Sequence, residues 1–299
     1  MRLLCALGLF LALLHVTSCL LIGAFNIENF GHGKFNKEVT TPKGIIKAID
    51  IITEIVQRYD IILIQELRDK DGTVTERLME LVNKGSHQFR NISSGYLGPS
   101  SRKERYLFLY SDETVTVKDQ EDSFQYDDTA GVFDRPPFVV KFSSTQTGKE
   151  FVLIPIHTQT DKAVKEIDAL VDVVKEAKLK WTNNNIMVLG DFNAGIRYVG
   201  TGDWKKDIPL FTDKGFHSLI DDGVATTLAE KTIQTHDRIV VSKEMNEEVV
   251  NGSAGVFNFK TDSDFDQDQA KKVSDHFPVE VELKPKEEPE AKKRRLNPN

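Results

Sequence analysis

Cysteine is almost absent from this 299-residue sequence, and its only two copies, Cys5 and Cys19, stand near one end. From residue 20 onward there is no thiol, which excludes a cysteine nucleophile, a thiolate metal site and a disulfide framework there. A domain of this length can rely on its apolar core instead. Positive charge is also short: 39 Lys and Arg face 46 Asp and Glu, a net charge of −7. That balance is not the footprint of a nonspecific polyanion binder. It suits carboxylates gathered around bound cations, which reverse the local field. Long apolar runs are missing except at the start, where "MRLLCALGLFLALLHVTSC" has one Arg, a short apolar stretch, then small and polar residues. This layout predicts a secretory signal peptide over 1–19, cleaved after Cys19, and is short for a membrane span; a signal anchor is the alternative. The triplets Asn91-Ile92-Ser93 and Asn251-Gly252-Ser253 are compatible with glycosylation on that route.

What is present is an alternation of apolar strands and amphipathic helices. "LLIGAFNIENF" reads as a buried strand with a polar end. "TPKGIIKAIDIITEIVQRYD" puts Ile45, Ile49, Ile52 and Val56 on one helical face, with Pro42 near the start. "DIILIQE" has four consecutive apolar residues, as in a strand covered on both faces. "VTERLMELVNKG" predicts a helix closed by Gly85, followed by strands at "RYLFLYS", "TVTVKD", "FVVKFSS" and "FVLIPIHT". A long helix from Asp161 to Trp181 precedes "NIMVLGDFNAG", and "DRIVVS" and "PVEVEL" supply the last strands. No repeat or linker appears before residue 284, so the expectation is one α/β domain over 20–283 with both sheet faces covered. The tail 284–299, "KPKEEPEAKKRRLNPN", has three prolines, many charges and no periodicity, and is expected to be disordered and solvated.

Polar residues collect where these strands end or begin. Asn26 follows the first strand, Glu66 ends "DIILIQE" with Arg68 soon after, His157 follows "FVLIPI", and Asp191 and Asn193 follow "IMVLG". Asp237 and Arg238 precede "IVV", and Asp275 and His276 precede "PVEVEL". One polar strand end is an ordinary solvated terminus, but six in one chain can line one cleft. Glu66, Asn26, Asp191 and Asn193 offer oxygen ligands of the kind Mg²⁺, Ca²⁺ or Mn²⁺ accepts. Two imidazoles with pKa near neutrality can divide acid and base work, each oriented by a carboxylate, for which Glu104 and Asp237 are the candidates. Arg68 and Arg135 can hold phosphate oxygens through their planar forks. This is the chemistry of metal-assisted phosphate-ester hydrolysis.

The blocks "AFNI", "DIILIQELRD", "KERYLF", "IHTQ", "VLGDFNAG", "DRIVVS" and "SDHFPVEV" stand in the order and spacing of the deoxyribonuclease I family, from about residue 20 to 283. "LGDFN" and "SDH" alone mark the wider superfamily of metal-dependent phosphoesterases, and "KERYLF" with the signal peptide narrows the resemblance to the secreted nucleases. The resemblance implies a four-layer α/β sandwich, two packed mixed β-sheets flanked by helices. It also implies a monomeric, secreted endonuclease that cuts double-stranded DNA without strong sequence preference, leaves 5′-phosphate ends, uses Mg²⁺ and Ca²⁺, and is a candidate for actin binding. On this pattern His157 resembles the acid on the leaving O3′, paired with Glu104, and His276 the base on water, paired with Asp237. Glu66 resembles the principal metal ligand, with Asn26, Asp191, Asn193 and Asp275 beside it, and Arg68 and Arg135 the groove and phosphate arginines.

The sequence departs from the family in three places. Ile196 and Gln234 fall near the positions of a family disulfide, and "DDTAGVFD" is a shortened form of a second disulfide loop, which implies lower stability. Arg102 stands where an aromatic residue commonly precedes "KER", retaining DNA contact but with an altered groove preference. For structural calcium Asp127 and Asp128 remain as candidates, while Ala225 replaces another acidic ligand. Three competing readings are a superfamily phosphodiesterase acting on a lipid or inositol phosphate, an inert binding relative, and a globular protein with merely polar strand ends.

Overall fold

A computed structural model describes residues 18–42, 44–99, 102–118, 121–195, 206, 208–229 and 233–286. The signal peptide apart from its last two residues, most of the basic tail, and Ile196 therefore lie outside the described residues. One sheet has the spatial order β14 (Gly255–Val256), β15 (Val279–Leu283), β1 (Leu20–Phe30), β4 (Ile61–Leu67), β6 (Arg105–Ser111) and β5 (Phe89–Ser93). The other runs β12 (Phe216–Ser218), β13 (Asp237–Ser242), β11 (Ile186–Asp191), β10 (Lys149–His157), β9 (Phe138–Ser144) and β7 (Val115–Thr116), with β8 (Ser123–Gln125) also on β9. Both are mixed: β1 is parallel to β4 and antiparallel to β15, and β10 is parallel to β11 and antiparallel to β9.

Residue alternation decides how the layers stack, because successive side chains point to opposite faces of a strand. Ile22, Ala24, Ile61 and Leu63 of the first sheet meet Phe142, Leu153, Met187 and Leu189 of the second in the central core. Phe25, Ile27, Ile62 and Ile64 face outward against helices α2 (Ala48–Val56) and α3 (Thr73–Val82), which follow α1 (His32–Phe35). On the far side Val152, Ile154, Ile156 and Val188 receive Ile167, Leu170, Val174 and Ala177 of α4 (Ala163–Trp181). The result is the expected helix–sheet–sheet–helix sandwich. Each fully buried aliphatic side chain contributes roughly 1.5–3 kcal/mol to holding it.

Several local expectations change. Ile45 is not on a helix: Glu38–Thr41 (β2) and Gly44–Lys47 (β3) form a hairpin, and α2 begins only at Ala48. Pro42 disfavours helix in the residue before it, Gly44 turns the chain at φ +134°, and Ile45 is left 66% exposed while Ile49, Ile52 and Val56 are buried as expected. Helix α3 stops at Val82 with Asn83 as its C-cap, two residues before Gly85, against which the Gln57 side chain packs. Only Val115–Thr116 of "TVTVKD" is strand, and Phe89–Ser93 is a strand that its weak apolar pattern hides. Strand β1 continues past Asn26 to Phe30 through a register shift.

Candidate active site

The strand registers bring the polar ends to one edge. His157 ends β10 directly opposite Asp191, the last residue of the parallel strand β11, and Asp191 faces Asp237, the first residue of β13. In the other sheet Asn26 pairs with Gln65, next to Glu66. Asp275 and His276 sit just before β15, where the Ser274 hydroxyl donates to the Asn26 carbonyl at 2.7 Å.

Both imidazoles have the same arrangement. His157 Nδ1 lies 2.6 Å from Glu104 Oε1, and His276 Nδ1 lies 2.8 Å from Asp237 Oδ2. An ionised carboxylate can only accept, so each Nδ1 carries a proton and each Nε2 is turned away from it toward Asp191. The two Nε2 atoms converge on one oxygen, Asp191 Oδ2, at 3.7 and 3.8 Å. Burial opposes charge on both rings, but the surrounding carboxylates outweigh it: Glu104 and Asp191 raise His157, and Asp237, Asp191 and Asp275 raise His276 further. Burial also works against ionisation of Glu104 and Asp191, yet the adjacent imidazoles hold both carboxyls below the usual range, with Arg135 helping at Glu104.

Asp191 is also the hub for the neighbouring oxygen-bearing side chains. Asn26 Nδ2 donates to Asp191 Oδ2 at 3.1 Å and reaches Glu66 Oε1 at 3.4 Å, and the Asn193 N–H donates to Asp191 Oδ1 at 2.8 Å. Glu66 and Asn193 adopt left-handed backbone, φ +58° and +46°, a conformation that costs of order 1–3 kcal/mol and is found mainly at functional sites. Asp191, Asp237 and His276 present ligand atoms within 4.8 Å of one another. The Oδ1 atoms of Asn26, Asp237 and Asp275 are buried without a hydrogen-bond partner in the structure. Unpartnered buried oxygens of this kind suit a hard divalent cation, and the donor set fits one.

The other expected residues fall in different surroundings. Arg68 is partly exposed beside the cleft, its Nη2 3.9 Å from Glu66 Oε2, and Arg102 is fully at the surface. Arg135 is buried behind His157: its Nε lies 3.1 Å from Glu104 Oε2 and its Nη1 donates to the His157 carbonyl at 3.2 Å. Asp127 and Asp128 are not brought to this edge, and both Asp128 oxygens accept backbone N–H groups, from Val132 and Phe133. Ala225 is exposed.

Sequence reasoning missed several supports. The Thr226 hydroxyl accepts the N–H groups of both His236 and Asp237, at 3.0 and 3.1 Å. The His236 ring stands edge-on to His276 with centroids 6.1 Å apart; its position beside Asp237 in "THDRIVV" was the available signal. Tyr106 bridges the sheets, its hydroxyl donating to the Arg135 carbonyl and accepting the His157 N–H at 2.9 Å.

Residues 23–276 match the Endonuclease/Exonuclease/phosphatase family. Deoxyribonuclease gamma of Mus musculus is 39% identical, covering 94% of this chain and 89% of its own length. Deoxyribonuclease-1-like 2 of Mus musculus is 42% identical over 89% and 92%, and deoxyribonuclease-1 of Bos taurus 39% over 92% and 97%. Among solved structures, an endonuclease/exonuclease/phosphatase family protein from Leptotrichia buccalis superposes with a TM-score of 0.63 at 15% identity, covering 89% of this chain and 99% of its own, which speaks for the fold alone. With the fold, the relatives and the site blocks in agreement, the chain belongs to the endonuclease/exonuclease/phosphatase family and, within it, to the deoxyribonuclease I group.

Proposed function

We propose that this nuclease is a secreted, divalent-metal-dependent endonuclease that hydrolyses DNA phosphodiester bonds to 5′-phosphate ends with two histidines as acid and base. The observation that carries the reading is the convergence of His157 Nε2 and His276 Nε2 on Asp191 Oδ2 at 3.7 and 3.8 Å, each ring backed by its own carboxylate. A phosphate placed in that gap meets one imidazole on either side. His276, oriented by Asp237, takes a proton from water as its oxygen attacks phosphorus. His157, oriented by Glu104, gives its proton to O3′ as the P–O3′ bond breaks. Glu66, Asn26, Asp191, Asn193 and Asp275 would hold Mg²⁺ or Ca²⁺, with Asp237 and His276 close by. Such a cation supplies charge that neutralises phosphate oxygens and offsets the carboxylates that otherwise keep His276 protonated.

Arg68 and Arg102 would contact flanking phosphates, and Arg135 would fix Glu104 from behind. The leader over 1–19 would direct secretion, with the sequons as glycosylation sites. Asp127 and Asp128 would serve a structural calcium. The protein would act as a monomer, with actin as a further partner to assay.

Plasmid nicking with Mg²⁺ and Ca²⁺ tests the reading. His157→Ala and His276→Ala should each lower the rate beyond the ~10²–10⁴ of a lone acid or base, because the pair acts as a unit. Near-normal cleavage by either variant would remove its assigned role. Hydrolysis of sphingomyelin or an inositol phosphate, with plasmid untouched, would replace the substrate.

A further inference from the structure

The hydrogen-bond ladders fix His157 against Asp191 within one sheet and Asn26 against Gln65 within the other. Nothing in a ladder fixes one sheet against the next. The packed apolar core between them sets their spacing and overall orientation, and directional contacts across it can set the finer placement of site residues. The site nevertheless draws Glu66 and Asn26 from the first sheet and His157 and Asp191 from the second. Several directional contacts cross between the halves, among them the Tyr106 hydroxyl accepting the His157 N–H at 2.9 Å.

Gln65 makes such a contact. Its side chain is fully buried and leaves the first sheet toward the second. Its Nε2 donates to the Ile156 carbonyl at 2.6 Å, and its Oε1 accepts the Asp191 N–H at 3.2 Å. One bond therefore ends on the residue before His157 and the other on Asp191 itself. The two partners settle which end of the amide is which, because the Ile156 carbonyl can only accept and the Asp191 amide can only donate. The chain makes room for it at Gly190, which has φ +127°; a Cβ there would lie 2.4 Å from the Ile156 oxygen and 2.8 Å from Gln65 Nε2. A glycine on one strand and a glutamine on the facing sheet thus form a fitted pair directly under the histidine–aspartate edge. Asn26 Nδ2 to Asp191 Oδ2, at 3.1 Å, lies further out in the cleft itself.

We infer that Gln65 is a positioning residue for the proposed hydrolysis, an inter-sheet crosspiece that sets His157 and Asp191 relative to Glu66 and Asn26. Being fully buried, it acts through the residues it holds. The inference rests on the His157–His276 reading for its effect on rate, but its effect on geometry does not depend on the substrate.

The test compares wild type, Gln65→Met, Gln65→Asn and His157→Ala with Gln65→Met added. Methionine keeps the length and removes both bonds; asparagine keeps the amide but is too short to span the gap. Both should lower kcat about 10–100-fold with KM within about twofold, the scale expected when reacting groups are misplaced by an ångström or less. In the His157→Ala background, Gln65→Met should cost less than in wild type, since one of the two groups it positions is gone. Near-normal kcat, a full multiplicative loss on top of His157→Ala, or a loss that merely follows partial unfolding at the assay temperature would overturn the inference. An arm without substrate separates this from the reaction itself. The imidazole proton resonances of His157 should shift or broaden in Gln65→Met; unchanged resonances would refute the crosspiece even if wild type cleaved no DNA.

Discussion

Asp237 Oδ2 lies 2.8 Å from His276 Nδ1, although 39 positions separate the two residues. Asp275, the immediate neighbour of His276 in sequence, reaches the opposite nitrogen, with Oδ1 3.9 Å from Nε2. The two carboxylates therefore act on different ends of one ring. Asp237 fixes the tautomer, and Asp275 borders the cleft with a buried unpartnered oxygen. Asp237→Asn should lower kcat by about 10⁴-fold, the scale of losing the correct tautomer in a comparable His–Asp pair. Asp275→Asn should leave kcat at saturating Mg²⁺ within about tenfold and raise the Mg²⁺ needed for half-maximal rate. Nicking rates across a Mg²⁺ series read both, and an interchange of the two patterns would exchange the assignments.

Most of the fold and much of this edge were legible in the sequence because an apolar run that ends in a polar residue marks both a strand and its mouth. His157, Asp191 and Glu66 were found that way. The pairing of Asp237 with His276 was not, since spacing along the chain does not say which strands are neighbours; the family resemblance supplied it. Gln65 was hidden because a glutamine near the end of "IILIQE" looks like the beginning of the polar mouth, and only the second sheet shows what its amide does. Ile45 misled in the opposite sense. Its spacing to Ile49 and Ile52 is helical, but the turn chemistry of Pro42 and Gly44 and the resulting hairpin override it.

The two arginines next to the site carboxylates differ in burial, and the difference predicts opposite phenotypes. Arg135 is 7% exposed and its Nε lies 3.1 Å from Glu104 Oε2, so Arg135→Ala leaves that buried oxygen unpaired while Oε1 keeps His157. Stranding a buried charge completely costs about 3–5 kcal/mol; here His157 still shares the Glu104 charge, so the loss should be smaller and the melting temperature should fall by roughly 5 °C. Arg68 has a side chain 38% exposed and a loose 3.9 Å approach to Glu66, so Arg68→Ala should change stability by less than about 1 kcal/mol. Its effect should appear in DNA binding, where losing one phosphate contact lowers the salt slope by about one. Thermal melts and salt-dependent binding separate the two. A stability loss at Arg68 equal to that at Arg135 would contradict the distinction.

Glu166, in the first turn of α4, offers a pH test independent of any substrate. Its side chain is fully buried; one oxygen accepts the Gln159 N–H at 3.2 Å, and the other has no partner in the structure. Burial first, and then the Asp134 carboxylate, push its pKa from 4.5 up to about 7, against the pull of nearby backbone N–H groups and Arg135. Because the folded value is the raised one, the stabilising form is the protonated one. Its contribution is fully present below pH 4.5, declines as the unfolded chain gives up its proton while the folded chain keeps one, and is gone above about pH 7. The full difference is on the order of 3 kcal/mol. Glu166→Gln keeps a neutral side chain of the same shape, so it should match wild type near pH 4.5 and exceed it by up to about 3 kcal/mol at pH 8. Denaturant midpoints at the two pH values measure this. An equal offset at both would mean that Glu166 keeps the same charge in the folded and unfolded chain. Because Gln159 lies two residues after His157 and Asp134 lies beside Arg135, the ionised form also loads the segments that carry the acid side of the site. The gain in stability of Glu166→Gln should therefore come with greater hydrogen-exchange protection at those two segments than in wild type above pH 7.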